Sequence, residues 1–201
     1  MEIFLVRHGE STANRDNLIQ GQLNTQLSIL GKKQAKLVAN RLKNYNFDYI
    51  YSSDLKRAKN TANQINYFHN RKLILDLRLR EINRGKWQGR KKSEVDFNSL
   101  PGTNFEKRTP NGESIIDQDK RINEFISQII NTHKNQNHKV LIVSHGGSMK
   151  YLLKNIFKLT LNQSKKIKKS HNCGFYHIDF TTDTPKYVVE NCNSHLDELN
   201  N

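Results

Sequence analysis

Two short runs of this chain, residues 3–6 (IFLV) and 140–144 (VLIVS), are apolar at nearly every position. A strand with one face in water alternates apolar and polar side chains, so these two need cover on both faces, as interior strands of a parallel sheet do. The flanking sequence supplies that cover. Helical spacing at Leu30, Gln34, Leu37, Val38 and Leu42 follows Ser28, a candidate N-cap. A second helix face runs through Leu55, Ala58, Ala62 and Ile65, with Ser53 or Asp54 as its cap. Ile115, Ile122, Phe125, Ile126, Ile129 and Ile130 mark a long amphipathic helix, and "HGGSMKYLLKNIF" reads as another. "DYIYS", "KLILDL", "GFYHIDF" and "KYVVE" are further strand candidates. Residues 80–112 are the least regular, with at most one short helix after Lys91 in an excursion over the sheet edge. No repeat and no Gly/Ser or Pro linker divides the 201 residues, so the expectation is one domain over 1–201. Its fold class is α/β, a three-layer sandwich with a mostly parallel central sheet covered by helices on both faces.

In such sheets ligands bind beyond the carboxyl ends of the strands. "FLVRHG" and "VLIVSHGG" each put a histidine there, His8 and His145, followed by glycine and a helix start. If both strands are central and parallel, the two imidazoles share one edge of the sheet. The glycines permit tight turns and close approach of backbone to ligand, and free N–H groups at a helix start suit a phosphate.

The charge balance narrows the ligand. Lys and Arg number 33 against 19 Asp and Glu, a net charge of +14, so the surface attracts anions: nucleic acid, anionic membrane or phosphorylated metabolites. No apolar run approaches the roughly 18 residues of a membrane span, and no signal-peptide pattern opens the chain, which gives a cytoplasmic reading with no membrane partner. "KKIKKS", starting at Lys165, suggests nucleic acid, yet zinc-finger spacing and an RNA-recognition aromatic motif are both missing. Cys173 and Cys192 are too few for a disulfide scaffold and lack metal-ligand spacing; they read as free buried thiols, although both fall in C-terminal strand candidates and could be neighbours.

The segments "LVRHGES", "LSILGKKQA", "SSDLKRAKNTA", "LREINRGKWQG", "TPNGES", "VSHGG", "NCGFYHIDF" and "SHL" occur in an order that resembles the histidine phosphatase superfamily, in the branch of cofactor-dependent phosphoglycerate mutases and small phosphatases. The resemblance implies that His8 is the nucleophile taking the phosphoryl group, a task suited to an imidazole that is neutral near neutral pH. It implies a phosphate pocket of Arg7, Arg57 and His145, with Gly146 beside it, and Glu81 as the acid that protonates the departing alkoxide and then activates water. Asn14 either lines that pocket or is a simple turn residue. Trp87 either walls it or is a core aromatic. Lys56 and Lys59 stay on a solvated face.

Asn24, Gln26, Arg84 and Gln88 depart from the family's usual residues, and Arg84 would favour a substrate with a second negative charge. No metal and no cofactor are expected, and the partner is a small phosphorylated metabolite rather than nucleic acid, bound by a monomer or homodimer. The implied activity is hydrolysis of small phosphate monoesters through a phosphohistidine. The alternatives are a cofactor-dependent phosphoglycerate mutase, or a basic nucleic-acid-binding or non-catalytic protein on the same fold.

Overall fold

The computed structural model describes residues 1–182 and 184–199. Its strands β1 (Glu2–Arg7), β2 (Tyr49–Ser52), β3 (Leu73–Leu75), β4 (Lys139–Ser144), β5 (Phe175–Asp179) and β6 (Lys186–Cys192) form one sheet in the order β3-β2-β4-β1-β5-β6. β3, β2, β4 and β1 run parallel; β5 is antiparallel to β1 and to β6. The helices are α1 (Thr12–Arg15), α2 (Ile29–Leu42), α3 (Lys56–Asn66), α4 (Ile115–His133), α5 (Gly146–Ile156) and α6 (Leu161–Ser164).

The two all-apolar runs become β1 and β4, adjacent at the centre, and their side chains divide between two cores. Ile3, Leu5, Val140 and Ile142 pack with α4 and α5 on one face; Phe4, Val6, Leu141 and Val143 pack with α2 and α3 on the other. All eight are fully buried, each contributing about 1.5–3 kcal/mol by leaving water. Among the described residues no helix is long and apolar enough to cross a membrane.

Ser28 caps α2 as expected, its hydroxyl accepting from the Gly31 amide. The buried stripe of α2 is Gly31, Ala35, Val38, Ala39 and Leu42, while Leu30 points to solvent, because the small residues are the ones that let this helix sit close to the sheet. α3 lacks the expected cap from Ser53 or Asp54. Its N-terminus is Leu55 with no side-chain bond, and Asn24, from a distant loop, accepts from the Lys56 amide at 2.7 Å. Ser53 and Asp54 are engaged elsewhere, with His145 and Arg80.

Residues 80–112 carry three 3-10 turns, Gly85–Trp87, Lys92–Glu94 and Phe97–Ser99, instead of one short helix. The edge they run over is the carboxyl one. After β3 the chain returns to the centre, where the Ser144 hydroxyl donates to the Leu79 carbonyl at 2.7 Å and the Ser148 hydroxyl to the Arg80 carbonyl at 2.8 Å. It then crosses the carboxyl ends of the strands, tied by Gly89 N to Ile19 O at 2.8 Å and Ile19 N to Arg90 O at 2.9 Å. Both cysteines are free thiols: Cys173 is buried in the turn before β5 at φ 56°, not in a strand, and Cys192 is half-buried at the end of β6.

The register of β1, β4 and β2 decides what meets at the carboxyl edge. Arg7 lies opposite Ser144, and His8 N donates to Ser144 O at 2.9 Å, which sets His8 beside His145. Ser52 lies opposite Val143, and Ser53 N donates to Val143 O at 3.0 Å, which sets Ser53 beside His145 from the other side.

Candidate active site

His8 is 3% exposed at the floor of a cleft of about 510 Å³. Its Nδ1 lies 2.6 Å from the Gly9 carbonyl oxygen, which can only accept, so Nδ1 carries the proton and Nε2 presents the lone pair. Burial, with the Arg57 and Arg7 charges, holds its pKa well below the ordinary histidine value, so the ring is neutral at pH 7. Neutral imidazole with an outward Nε2 is the form that attacks phosphorus.

Arg57, 1% exposed on the inner face of α3, donates from Nε to that Nε2 at 3.3 Å. Its Nη1 and Nη2 donate to the Leu23 and Gly21 carbonyls at 2.7 and 2.8 Å, leaving each terminal nitrogen a second N–H. Burial pushes its pKa down to about 10, still a cation at neutral pH. Arg7 donates from Nη1 to Ser170 O at 2.6 Å, and its buried Nε has no partner among the described residues. Gly146 permits this approach: a Cβ there would stand 3.3 Å from the Arg7 Nε. The His145 ring centroid is 5.0 Å from that of His8. Its Nε2 is 2.8 Å from the Ser53 hydroxyl and its Nδ1 has no partner among the described residues. His145 is fully buried behind the floor and does not itself line the cleft.

Glu81 lines the same cleft. Its Oε2 accepts from the Gly147 amide at 2.9 Å, and Oε1 accepts from Ile82 N at 2.9 Å and Gln118 Nε2 at 3.1 Å. The N-terminus of α5, expected to be open to phosphate, is thus partly taken by this carboxylate. A Cβ at Gly147 would stand 2.4 Å from Glu81 Oε1, so a side chain there would displace the carboxylate from its present position. Arg80, next to Glu81 in the chain, pairs with Asp54 at 2.5 Å.

Three independent comparisons meet this geometry. The model of the "histidine phosphatase superfamily (branch 1)" matches residues 3–193. The chain belongs to that superfamily. A probable phosphoglycerate mutase of Escherichia fergusonii is 31% identical over 98% of this chain and 95% of its own. Mycobacterial glucosyl-3-phosphoglycerate phosphatase, solved with VO3, superimposes with a TM-score of 0.85 at 26% identity, covering 96% of this chain and 99% of that one. Phosphoserine phosphatase from Entamoeba histolytica, solved with phosphoserine, does so with a TM-score of 0.83 at 28% identity, over 97% and 98%.

Within this histidine phosphatase superfamily chain, Asn14 sits in α1 rather than in a turn; it lines the cleft, and its side chain accepts from the amide of Ser11, the α1 cap. Trp87 is 9% exposed and backs the cleft residue Phe97 edge-on at 4.8 Å rather than walling the cleft. Gln88 ties two walls together, its Oε1 accepting from Gln22 N at 2.5 Å and Arg84 N at 3.3 Å.

Sequence reasoning missed the residues that hold the site from behind. Ser53 orients His145; Asn172 donates to the His8 carbonyl at 3.0 Å. Arg121 donates to the carbonyls of Arg78, Arg80 and Glu81 at 2.7, 2.6 and 3.0 Å while paired with Glu113. Asn172 and Glu113 lie inside matched segments, "NCGFYHIDF" and "TPNGES", which was the available signal. Arg121 is masked as one more charge on an amphipathic helix.

Proposed function

We propose that this chain is a metal-independent phosphatase that hydrolyses small phosphate monoesters through a phosphohistidine at His8. The observation that carries the reading is the pinned tautomer of a neutral, buried imidazole, with its Nε2 beside the Arg57 guanidinium in a cleft that also holds Glu81. In the first step the Nε2–P bond forms and the ester P–O bond breaks, with Glu81 delivering a proton to the departing oxygen. The Nδ1–H bond to Gly9 stabilises the positive charge that develops on the ring. In the second, Glu81 takes a proton from water as that water attacks phosphorus, the Nε2–P bond breaks to restore the neutral His8 ring, and inorganic phosphate leaves. Arg7 and Arg57 supply positive charge to the transferring group, the role a metal would otherwise fill.

The phosphoglycerate mutase reading is favoured by the 31% identical relative, and it shares the first step. It differs in what the phosphoenzyme meets next, a bound hydroxyl instead of water. Against it stands the wall formed by residues 80–112, built of short 3-10 turns with Lys92 exposed and Phe97 38% exposed, a wall poorly suited to sealing the intermediate from solvent.

The test is rapid denaturing quench with radiolabelled substrate. An acid-labile, base-stable label that disappears in His8→Ala is expected, and a label that survives this substitution rejects the nucleophile. Following 3-phosphoglycerate with and without a bisphosphoglycerate primer then separates the readings. Phosphate release supports the phosphatase, and primer-dependent conversion to the 2-isomer with little free phosphate supports the mutase.

A further inference from the structure

The segment "LSILGKKQA", which opens α2, contributes no residue to the lining of the cleft, yet it grips the loop that follows the nucleophile. Ser28, Gly31 and Gln34 recur every three residues and so lie along one side of the helix, and all three meet Glu10. Glu10 O accepts from Ser28 N at 2.9 Å, and Glu10 Oε1 accepts from the Ser28 hydroxyl at 2.6 Å. Glu10 N donates to Gln34 Oε1 at 2.8 Å. Gly31 permits this close approach, because a Cβ there would overlap the Glu10 carbonyl oxygen.

The Glu10 amide belongs to the same peptide unit as the Gly9 carbonyl, which lies 2.6 Å from His8 Nδ1 and accepts its proton. The orientation of one peptide plane therefore decides both bonds. An amide N–H only donates, so the Gln34 atom that faces it is the oxygen. Accepting at the N–H end polarises the peptide and makes Gly9 O a stronger acceptor for the ring. The preceding peptide is held by other residues. His8 O accepts from Asn172, and Gly9 N donates at 3.1 Å to the buried Thr61 hydroxyl, which donates to Arg57 O at 2.8 Å. Neither of those contacts touches the Gly9–Glu10 plane, so the direction of the Gly9 carbonyl is left to Gln34.

We infer that Gln34 is a positioning residue for the nucleophile: through the Gly9–Glu10 peptide it holds the proton on Nδ1, keeps the Nε2 lone pair aimed into the cleft, and stabilises the positive charge the ring gains as the Nε2–P bond forms. The inference rests on the reading of His8 as the nucleophile and adds how α2 serves it. Arg7 from β1 and Arg57 from α3 oppose positive charge on the ring, His145 packs against it with ring centroids 5.0 Å apart, and Glu81 lines the same cleft. The bond to Gly9 favours that charge, so it offsets the two arginines when the ring reacts.

Two readouts test it together. In Gln34→Met, which keeps the length of the side chain and removes the acceptor, kcat/KM for p-nitrophenyl phosphate is expected to fall about tenfold, the size of one buried hydrogen bond. The inhibition constant of inorganic phosphate stays within about twofold, since Gln34 does not line the cleft. The second readout is independent of turnover: the ring 15N shifts of His8 in 15N-histidine protein, assigned by their loss in His8→Ala, report the strength of the Nδ1–H bond. They are expected to move in Gln34→Met and to return toward the parent values, with kcat/KM, in Gln34→Glu, which keeps an acceptor. Lys33→Met, on the exposed face of α2, changes neither.

Unchanged ring shifts in Gln34→Met, unchanged kcat/KM, or a loss of phosphate binding in proportion to kcat/KM each overturn the inference, as does a Gln34→Glu protein no better than Gln34→Met. Gln34→Leu is read in the same way if the methionine variant does not fold. If the parent protein hydrolyses no monoester, the phosphatase reading fails and the ring shifts decide Gln34: movement in Gln34→Met with return in Gln34→Glu supports the positioning role, and unmoved shifts overturn it.

Discussion

The floor of the cleft and its outer wall are built in opposite ways. Arg7, His8 and Arg57 on the floor, and His145 behind it, are 7%, 3%, 1% and 0% exposed, and each is fixed by at least one hydrogen bond to a strand-end residue or loop. The wall, residues 80–112 with 165–169, is made of short turns and exposed lysines, and the ring of Phe97 is held by Trp87 and Arg84. Groups that meet the same reacting phosphorus in every turnover gain from being preorganised, and burial beside strand ends achieves this. On the proposed reading the wall meets only the rest of the substrate, where complementary charge matters more than rigidity.

The contrast is most exposed to failure at Arg57. Arg57→Gln removes the cation on the floor while keeping a polar side chain of similar reach, and kcat/KM is expected to fall on the order of 10²–10³-fold, as for other preorganised donors to a developing negative charge. Steady-state kinetics on an aryl phosphate measures it. A loss below tenfold would show that the floor is less committed to the phosphoryl group than its burial indicates.

The second effect is on stability. His8 and His145 both have pKa values well below the ordinary 6.5, with burial the first cause for each. Below about pH 6.5 the unfolded chain binds protons that the folded chain refuses, so stability falls as pH drops, by up to about 1.4 kcal/mol per pH unit for each such group. His145→Asn keeps a polar partner for Ser53 but removes one of the two. Urea midpoints at pH 7.5 and 5.5 should therefore differ less in this variant than in the parent protein. Equal differences would mean that His145 is charged in the folded state.

The smallest effect belongs to the wall. Phe97→Ala removes a ring 38% exposed, and its cost to stability should stay within about 1–2 kcal/mol, well under the 3–5 kcal/mol of a fully buried phenylalanine. Thermal denaturation checks this. A cost equal to that of Phe125→Ala, in the α4 core, would show that the wall is as tightly built as the core.

Much of this was readable because the informative signals are local. The absence of polar alternation in residues 3–6 and 140–144 required two-sided cover, and β1 and β4 are buried on both faces. The ordered motifs placed His8, Arg57 and Glu81 in a family pattern, and they line one cleft. Errors arose where a local rule met a tertiary competitor. Ser53 and Asp54 have the chemistry of helix caps, but His145 and Arg80 hold them and the cap comes from Asn24, 32 residues earlier. Leu30 fits a helical apolar stripe, yet α2 turns its small residues to the sheet.

The sequence by itself determined the layered fold, the strand ends that carry chemistry and the identity of the groups gathered there, since hydrophobic period and short motifs are properties of neighbours along the chain. Only the tertiary structure decided which nitrogen of His8 is free, that Arg121 and Gln118 hold the segment bearing Glu81, and that a basic run near Lys165 contributes to the cleft instead of forming a separate face. Those outcomes depend on strand register and on hydrogen bonds between residues far apart in sequence, and no local pattern encodes which buried donor will find which acceptor.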